Sequence, residues 1–137
     1  ILGNAVRVLA AMIVRTGDPT DPALRAAAVA NVRLVDAAYD DATLAADATA
    51  VDPALAESYV APLGEGLQVS GKERFLGDLV RIALAGGTVT ADQRRVVDLA
   101  GRGLDLTPAH ITGVVTSVVA ARTTDPDAPR PDPPGHG

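Results

Sequence analysis

The chain has 137 residues, 47% of them apolar, and a formal charge of −5 from 12 basic and 17 acidic side chains. Without cysteine it forms no disulfide, no thiolate metal site and no cysteine nucleophile, and it lacks the clustered cations of a nucleic-acid surface, because its longest runs of one sign are Asp40-Asp41 and Arg94-Arg95. Its length suits one domain with a core of its own, and that core must be aliphatic, since Tyr39, Tyr59 and Phe75 are the only aromatics.

A start at Ile1 rather than Met leaves room for an upstream leader or domain. Leu2, Val6, Leu9, Ala10 and Ile13 recur at steps of three and four, which predicts a helix over 3–15. The apolar run 1–14 contains Arg7 and falls short of the roughly 20 residues of a membrane span, so none is expected. Asp21-Pro22 pairs a capping oxygen with a proline at the first helical position, opening a helix over 21–38 that carries Leu24, Ala28, Val32, Val35 and Tyr39. Periodicity leaves residues 40–51 open between an extension of that helix and a loop. Asp52-Pro53 repeats the start signal for 53–67, and Ser70 to Glu73 reads as a capping box before a helix over 71–85, with Phe75, Leu76, Leu79, Val80 and Ala83 on one face.

Gly86-Gly87 matches no phosphate-binding glycine motif and follows no strand, so it reads as a tight interhelical turn needing a positive φ at glycine. Thr90 and Gln93 form a second capping box, which opens a helix over 91–102. Gly103 before Leu104 reads as a left-handed glycine cap. Thr107-Pro108 then starts a helix over 108–121, whose buried face is Ile111, Val114, Val115, Val118 and Val119. With five prolines in fifteen residues, 123–137 is expected to be a linker or tail beyond a helical domain over 1–122. The expected architecture is all-α, a compact bundle of about six helices.

Sliding the chain by 70 residues lays Gly17 on Gly87, Thr20 on Thr90 and Arg25 on Arg95, which suggests two related helix-turn-helix units. The stretch LGDLVRIALAGGTVTADQRRVVDLAGRGLDLTPAHI resembles the TerB-like family of tellurite-resistance TerB proteins and the N-terminal domain of DnaJ-like membrane co-chaperones. Gly87, Val89 and Thr90 fit the family's loop, Asp-Gly-x-Ile-Ser/Thr-x-x-Glu, and Gly103, Leu104, Leu106 and Thr107 fit its later Leu-Gly-Leu-Ser turn. The likeness covers 73–119 well and the N-terminal half weakly. It implies a TerB-like fold and a bacterial, cytoplasmic stress-response or chaperone setting, including the inner face of the membrane and membrane-associated partners. The family's loop carboxylates, proposed to hold a divalent cation, are replaced by Gly86 and Gln93 in the second unit and by Thr16 and Ala23 in the first. A hard cation needs several converging charged oxygens, so the resemblance implies a degenerate metal site here and no metal role is carried over.

The remaining acids give only weak metal candidates. Asp18 and Asp21 in GDPTD lack the later glutamate and glycine spacing of an EF-hand, and Asp21 is more simply an N-cap. Asp36 and Asp40, four apart, are expected on a solvated helix face, with Tyr39 at the core edge. His110 has no cysteine or second folded-domain histidine to join it in a zinc site or triad, and His136 lies in the tail. Arg94 and Arg95, with Arg81 and Arg102, form a cationic side that either pairs with neighbouring aspartates or binds a partner. Gly17, Gly87, Thr90, Gln93, Gly103 and Thr107 are expected as loop and cap residues. No acid, base and nucleophile can be placed together, so the expectation is a non-enzymatic interaction module without cofactor, its partner another protein. The alternatives are a structural subunit tethered by its proline-rich tail and a divalent-cation sensor using the relocated aspartates.

Overall fold

Prolines and their capping neighbours set three of the helix starts. Asp21 accepts from the Ala23 amide ahead of Pro22, Asp52 accepts from the Ala54 amide ahead of Pro53, and Thr107 Oγ1 accepts from the His110 amide ahead of Pro108. In a computed structural model, which describes residues 1–124, the helices are α1 (Leu2–Thr16), α2 (Pro22–Val32), α3 (Asp41–Ala50), α4 (Ala56–Val60), α5 (Val69–Ala85), α6 (Ala91–Gly103) and α7 (Pro108–Thr124). There is no strand among the described residues, so the domain is all-α, with seven α-helices instead of about six.

α1 is the central helix. Residues 9–14 are all essentially inaccessible, because α2, α3, α5 and α6 pack around them; a helix apolar on every side has no solvent face to present. α1–α2 and α5–α6, the two units of the internal sequence match, are both helix-turn-helix pairs, and their turns meet at one end of the bundle, where Thr90 Oγ1 donates to the Thr16 carbonyl (3.1 Å).

The departures from the sequence-based boundaries have local causes. α2 ends at Val32, not at 38: the amides of Leu34 and Val35 turn back to Asn31 and Val32, and Arg33 Nε donates to the Tyr39 carbonyl (2.7 Å), folding the chain over. Tyr39 therefore leaves the helical stripe and is 2% exposed, in the core rather than at its edge. Residues 40–51 are neither an extension nor a loop. Asp40 caps Thr43 and opens α3, whose carbonyl end is held by Arg15, donating to Ala48, Thr49 and Val51. The span 53–67 is broken into 3₁₀ turns on either side of the short α4, since Pro62, Gly64 and Gly66 oppose a continuous helix. α5 starts at Val69 with Gln68 as its cap residue, so Ser70 is already helical and its capping box does not form.

At the end of α6 the left-handed residue is Asp105 (φ 61°), not Gly103. The amides of Asp105 and Leu106 bond the carbonyls of Arg102 and Gly101, which closes a Schellman motif. Gly103 is glycine for another reason: a Cβ there would lie 2.6 Å from the Glu57 carbonyl oxygen of α4. α7 runs through Thr124, past the expected helix end at 121 and two residues into the expected tail; the rest of the tail, 125–137 with His136, lies outside the described residues.

One polar clamp joins α1, the α2–α3 turn and α3. Arg7 donates through Nε and Nη2 to the two oxygens of Asp47 (2.7 and 2.9 Å), Tyr39 Oη donates to the same carboxylate (2.8 Å), and the guanidinium lies 5.5 Å from the Tyr39 ring centre. The Arg7 hydrogen bonds, seconded by that of Tyr39, hold the Asp47 carboxyl below its ordinary value near 3.8 against the opposing effect of burial. A depressed carboxyl contributes stability that is present above the unfolded-state value and is lost as pH falls through the folded one. Asp47→Asn should therefore lower stability by about 1–2 kcal/mol at neutral pH, a figure kept small because the Arg7 side chain is still 42% exposed. The gap between wild type and variant should shrink as urea melts are repeated below pH 4, and a gap independent of pH would show that the charge is not what matters.

Candidate functional site

The turns of the two helix pairs build one junction from both halves of the chain. Thr90 accepts the Gln93 amide on its hydroxyl (3.0 Å) and the Gln93 side-chain oxygen accepts the Thr90 amide (3.0 Å), completing the expected capping box. Gln93 does more than cap. It is 1% exposed, and its Nε2 donates to the Ile13 carbonyl near the end of α1 (3.0 Å), which also accepts the Gly17 amide (3.1 Å), so one side chain caps the start of α6 and ties it to the end of α1. Gly17 lies so close that a Cβ would collide with Gln93 Nε2 and Leu24; its φ of −95° makes no left-handed demand, so contact is what requires glycine. Gly87, at φ 112°, does need positive φ. The amide thus uses its oxygen and nitrogen on protein partners, and no buried polar side-chain atom among the described residues lacks one.

The weak metal candidates fall into two separate places. Asp18 holds the amide and hydroxyl of Thr20, which keep its carboxyl below the usual range, hydroxyl first, and Asp21 caps α2. Beyond the other end of α2, Asp36 accepts the Ala38 amide within a turn, and Asp40 takes the hydroxyl and amide of Thr43, which lower its pKa. Neither Asp36 nor Asp40 is on a helix face: one is in a turn and the other is an N-cap. No group of three or more acids or histidines among the described residues could hold a metal ion.

The arginines divide as well. Arg94, Arg95 and Arg102 lie along one side of α6 with Asp98 and Leu99, around a shallow cleft of about 290 Å³. Arg94 bonds Asp98 and Thr112 (both 3.0 Å), Arg102 pairs with Glu57 (3.2 Å), and Arg95 is exposed with no ion pair among the described residues. Arg81 is elsewhere, on α5, paired with Asp78 (2.7 Å) in a groove between α5 and α7. His110 also lines that groove, with Nε2 3.2 Å from Glu73 Oε2. Sequence reading missed this pairing and the Arg7–Asp47–Tyr39 clamp. Their members are 37 and 40 residues apart, beyond any local pattern.

The class these features define is an all-helical domain with a neutral, hydrogen-bonded junction between two helix pairs. Compared with known proteins, the chain matches no family model, no curated protein and no solved structure.

Proposed function

We propose that this domain is a non-enzymatic protein-interaction module that presents the arginine side of α6 to an acidic protein surface. The observation that carries this reading is the row Arg94, Arg95 and Arg102 beside Leu99, with Arg95 exposed and without an ion pair among the described residues. Arginine is favoured at interfaces because its planar fork makes paired hydrogen bonds to carboxylates at low desolvation cost. The junction adds support: where the TerB-like resemblance would place a carboxylate, Gln93 uses its amide to hold α1 against α6, which suits a scaffold for surfaces. From that resemblance we take the setting, a bacterial stress-response or chaperone system in the cytoplasm or at the inner face of the membrane. No helix among the described residues is long and apolar enough to cross a membrane.

The test is a crosslinking pull-down with the double variant Arg95→Glu, Arg102→Glu. Recovery of the partner should fall about tenfold or more, since reversed charges meet an acidic surface, while the melting temperature shifts by only a few degrees because both side chains are solvated. Unchanged recovery from a folded variant would remove α6 as the binding side.

A further inference from the structure

We propose that the α5/α7 face pairs with its own copy, forming a twofold dimer in which α5 lies antiparallel on the partner's α5. The groove here, about 720 Å³, presents Glu73, Arg74, Asp78 and Arg81 from α5 beside Gly113 and Ser117 from α7. These four charges fall on one side of the helix, at steps of one, four and three. Their order, minus, plus, minus, plus, becomes plus, minus, plus, minus when the helix is reversed. In an antiparallel pair centred between residues 76 and 77, each charge therefore comes within about 1.5 Å along the axis of its opposite: Glu73 meets the partner's Arg81, Arg74 meets the partner's Asp78, and the twofold repeats both pairs.

Glu73 and Arg81 are about 12 Å apart along the axis; Gly77 between them is buried under the Arg81 guanidinium and against Val118 of α7, so the open approach in the groove is at α7. Gly113 of α7 is exposed in the groove, and a Cβ there would meet nothing within 4 Å. Packing inside the chain does not require that glycine, and glycine weakens a helix interior. Glu73, Arg74 and Arg81 are exposed, and Asp78, half-buried in its pair with Arg81, would turn from that pair toward the partner's Arg74. In the dimer α5 and α7 of both copies form a four-helix layer. Each helix has 17 residues, about 25 Å, so the face measures roughly 25 by 20 Å. That lies at the small end of specific interfaces and implies a weak, concentration-dependent dimer.

Sedimentation equilibrium of the full chain from about 5 to 500 µM tests this, with circular dichroism melts to confirm that each variant folds. The wild type should dimerise within that range and dissociate as salt is raised. Glu73→Arg alone, and Arg81→Glu alone, should weaken the dimer about tenfold or more, because each places like charges together twice across the twofold. The double variant Glu73→Arg, Arg81→Glu restores opposite charges and should regain the dimer, a rescue that general damage to the fold would not produce. Gly113→Gln, which fills the groove in open space, should give a folded monomer. A wild type that stays monomeric at 500 µM overturns the proposal, as does a dimer indifferent to the single reversals, a double variant that stays monomeric, or a Gly113→Gln dimer of wild-type strength. The α6 reading rests on other residues and stands or falls by its own experiment.

Discussion

Gln93→Glu should destabilise the domain by about 2–4 kcal/mol at neutral pH, although it changes a single atom of the side chain. The carboxylate can still accept the Thr90 amide, as glutamate does in ordinary capping boxes. Its other oxygen would then face the Ile13 carbonyl across the 3.0 Å now bridged by an N–H, leaving two acceptors opposed and a charge at a site 1% exposed. The positive end of α6 offsets part of this, but a helix terminus is worth less than a buried unpaired charge.

The pH dependence follows from the sign of the shift. Burial without a cationic partner raises the new carboxyl above its unfolded value, so the folded state binds the proton more tightly. The penalty is full above the folded-state pKa and vanishes below the unfolded value of about 4.3, where a protonated acid donates to Ile13 as the amide does. Urea melts at pH 7 and pH 4 should therefore bring the variant back toward wild type in acid. Equal stability at pH 7 would show that the Gln93 to Ile13 bond is not what joins the turns.

A second large effect is expected at Gly103→Ala. Replacing glycine by alanine inside a helix usually gains about 1 kcal/mol. Here the added methyl would lie 2.6 Å from the Glu57 carbonyl oxygen, 3.2 Å from Val60 Cβ and 3.3 Å from the Ala61 amide nitrogen. Two of those atoms are backbone and cannot turn aside, so α4 must move off α6, with a loss of about 2–3 kcal/mol. The check is the urea midpoint at unchanged slope. A variant as stable as wild type would mean that α4 does not press on α6 at this glycine.

Much of the bundle was legible in the residue pattern. Leu9, Ala10 and Ile13 in α1, Phe75, Leu76, Leu79, Val80 and Ala83 in α5, and Ile111, Val114, Val115 and Val118 in α7 follow the helical period and are buried as expected, whereas Leu2 at the start of α1 is exposed and Val6 and Val119 are only half-buried. The aspartate and threonine caps with their following prolines mark starts at α2, before α4 and at α7. These signals are legible because each is completed within a few residues, by a backbone amide two or three positions on. Val35 and Tyr39 extend the period of α2 equally well, yet the chain turns there, because the Arg33 bond to the Tyr39 carbonyl and the Tyr39 bond to Asp47 reward leaving the helix. Period alone carries no term for such partners.

The same division runs through the candidate site. The Thr90–Gln93 box was readable, since both halves of it lie within four residues; its burial was not, because the Ile13 carbonyl that Gln93 caps is 80 residues away. Gly103 was read as the left-handed cap, since glycine tolerates that conformation best. In the fold Asp105 takes it, and Gly103 is small because α4 passes close. Of the arginines, the helical period already sets Arg94, Arg95 and Arg102 on one side of α6, whereas only chain topology sends Arg81 to the groove of α5 and α7.

By itself, then, the sequence determined that this is an aliphatic, all-helical domain and where most of its helices start, because periodicity and capping act through bonds that close within a turn. Tertiary structure decided which helices touch, that one neutral amide would join the two turns, and which charges share a face. Those outcomes depend on free energies between residues far apart in the chain, where desolvation and close contact exist only once the helices have packed.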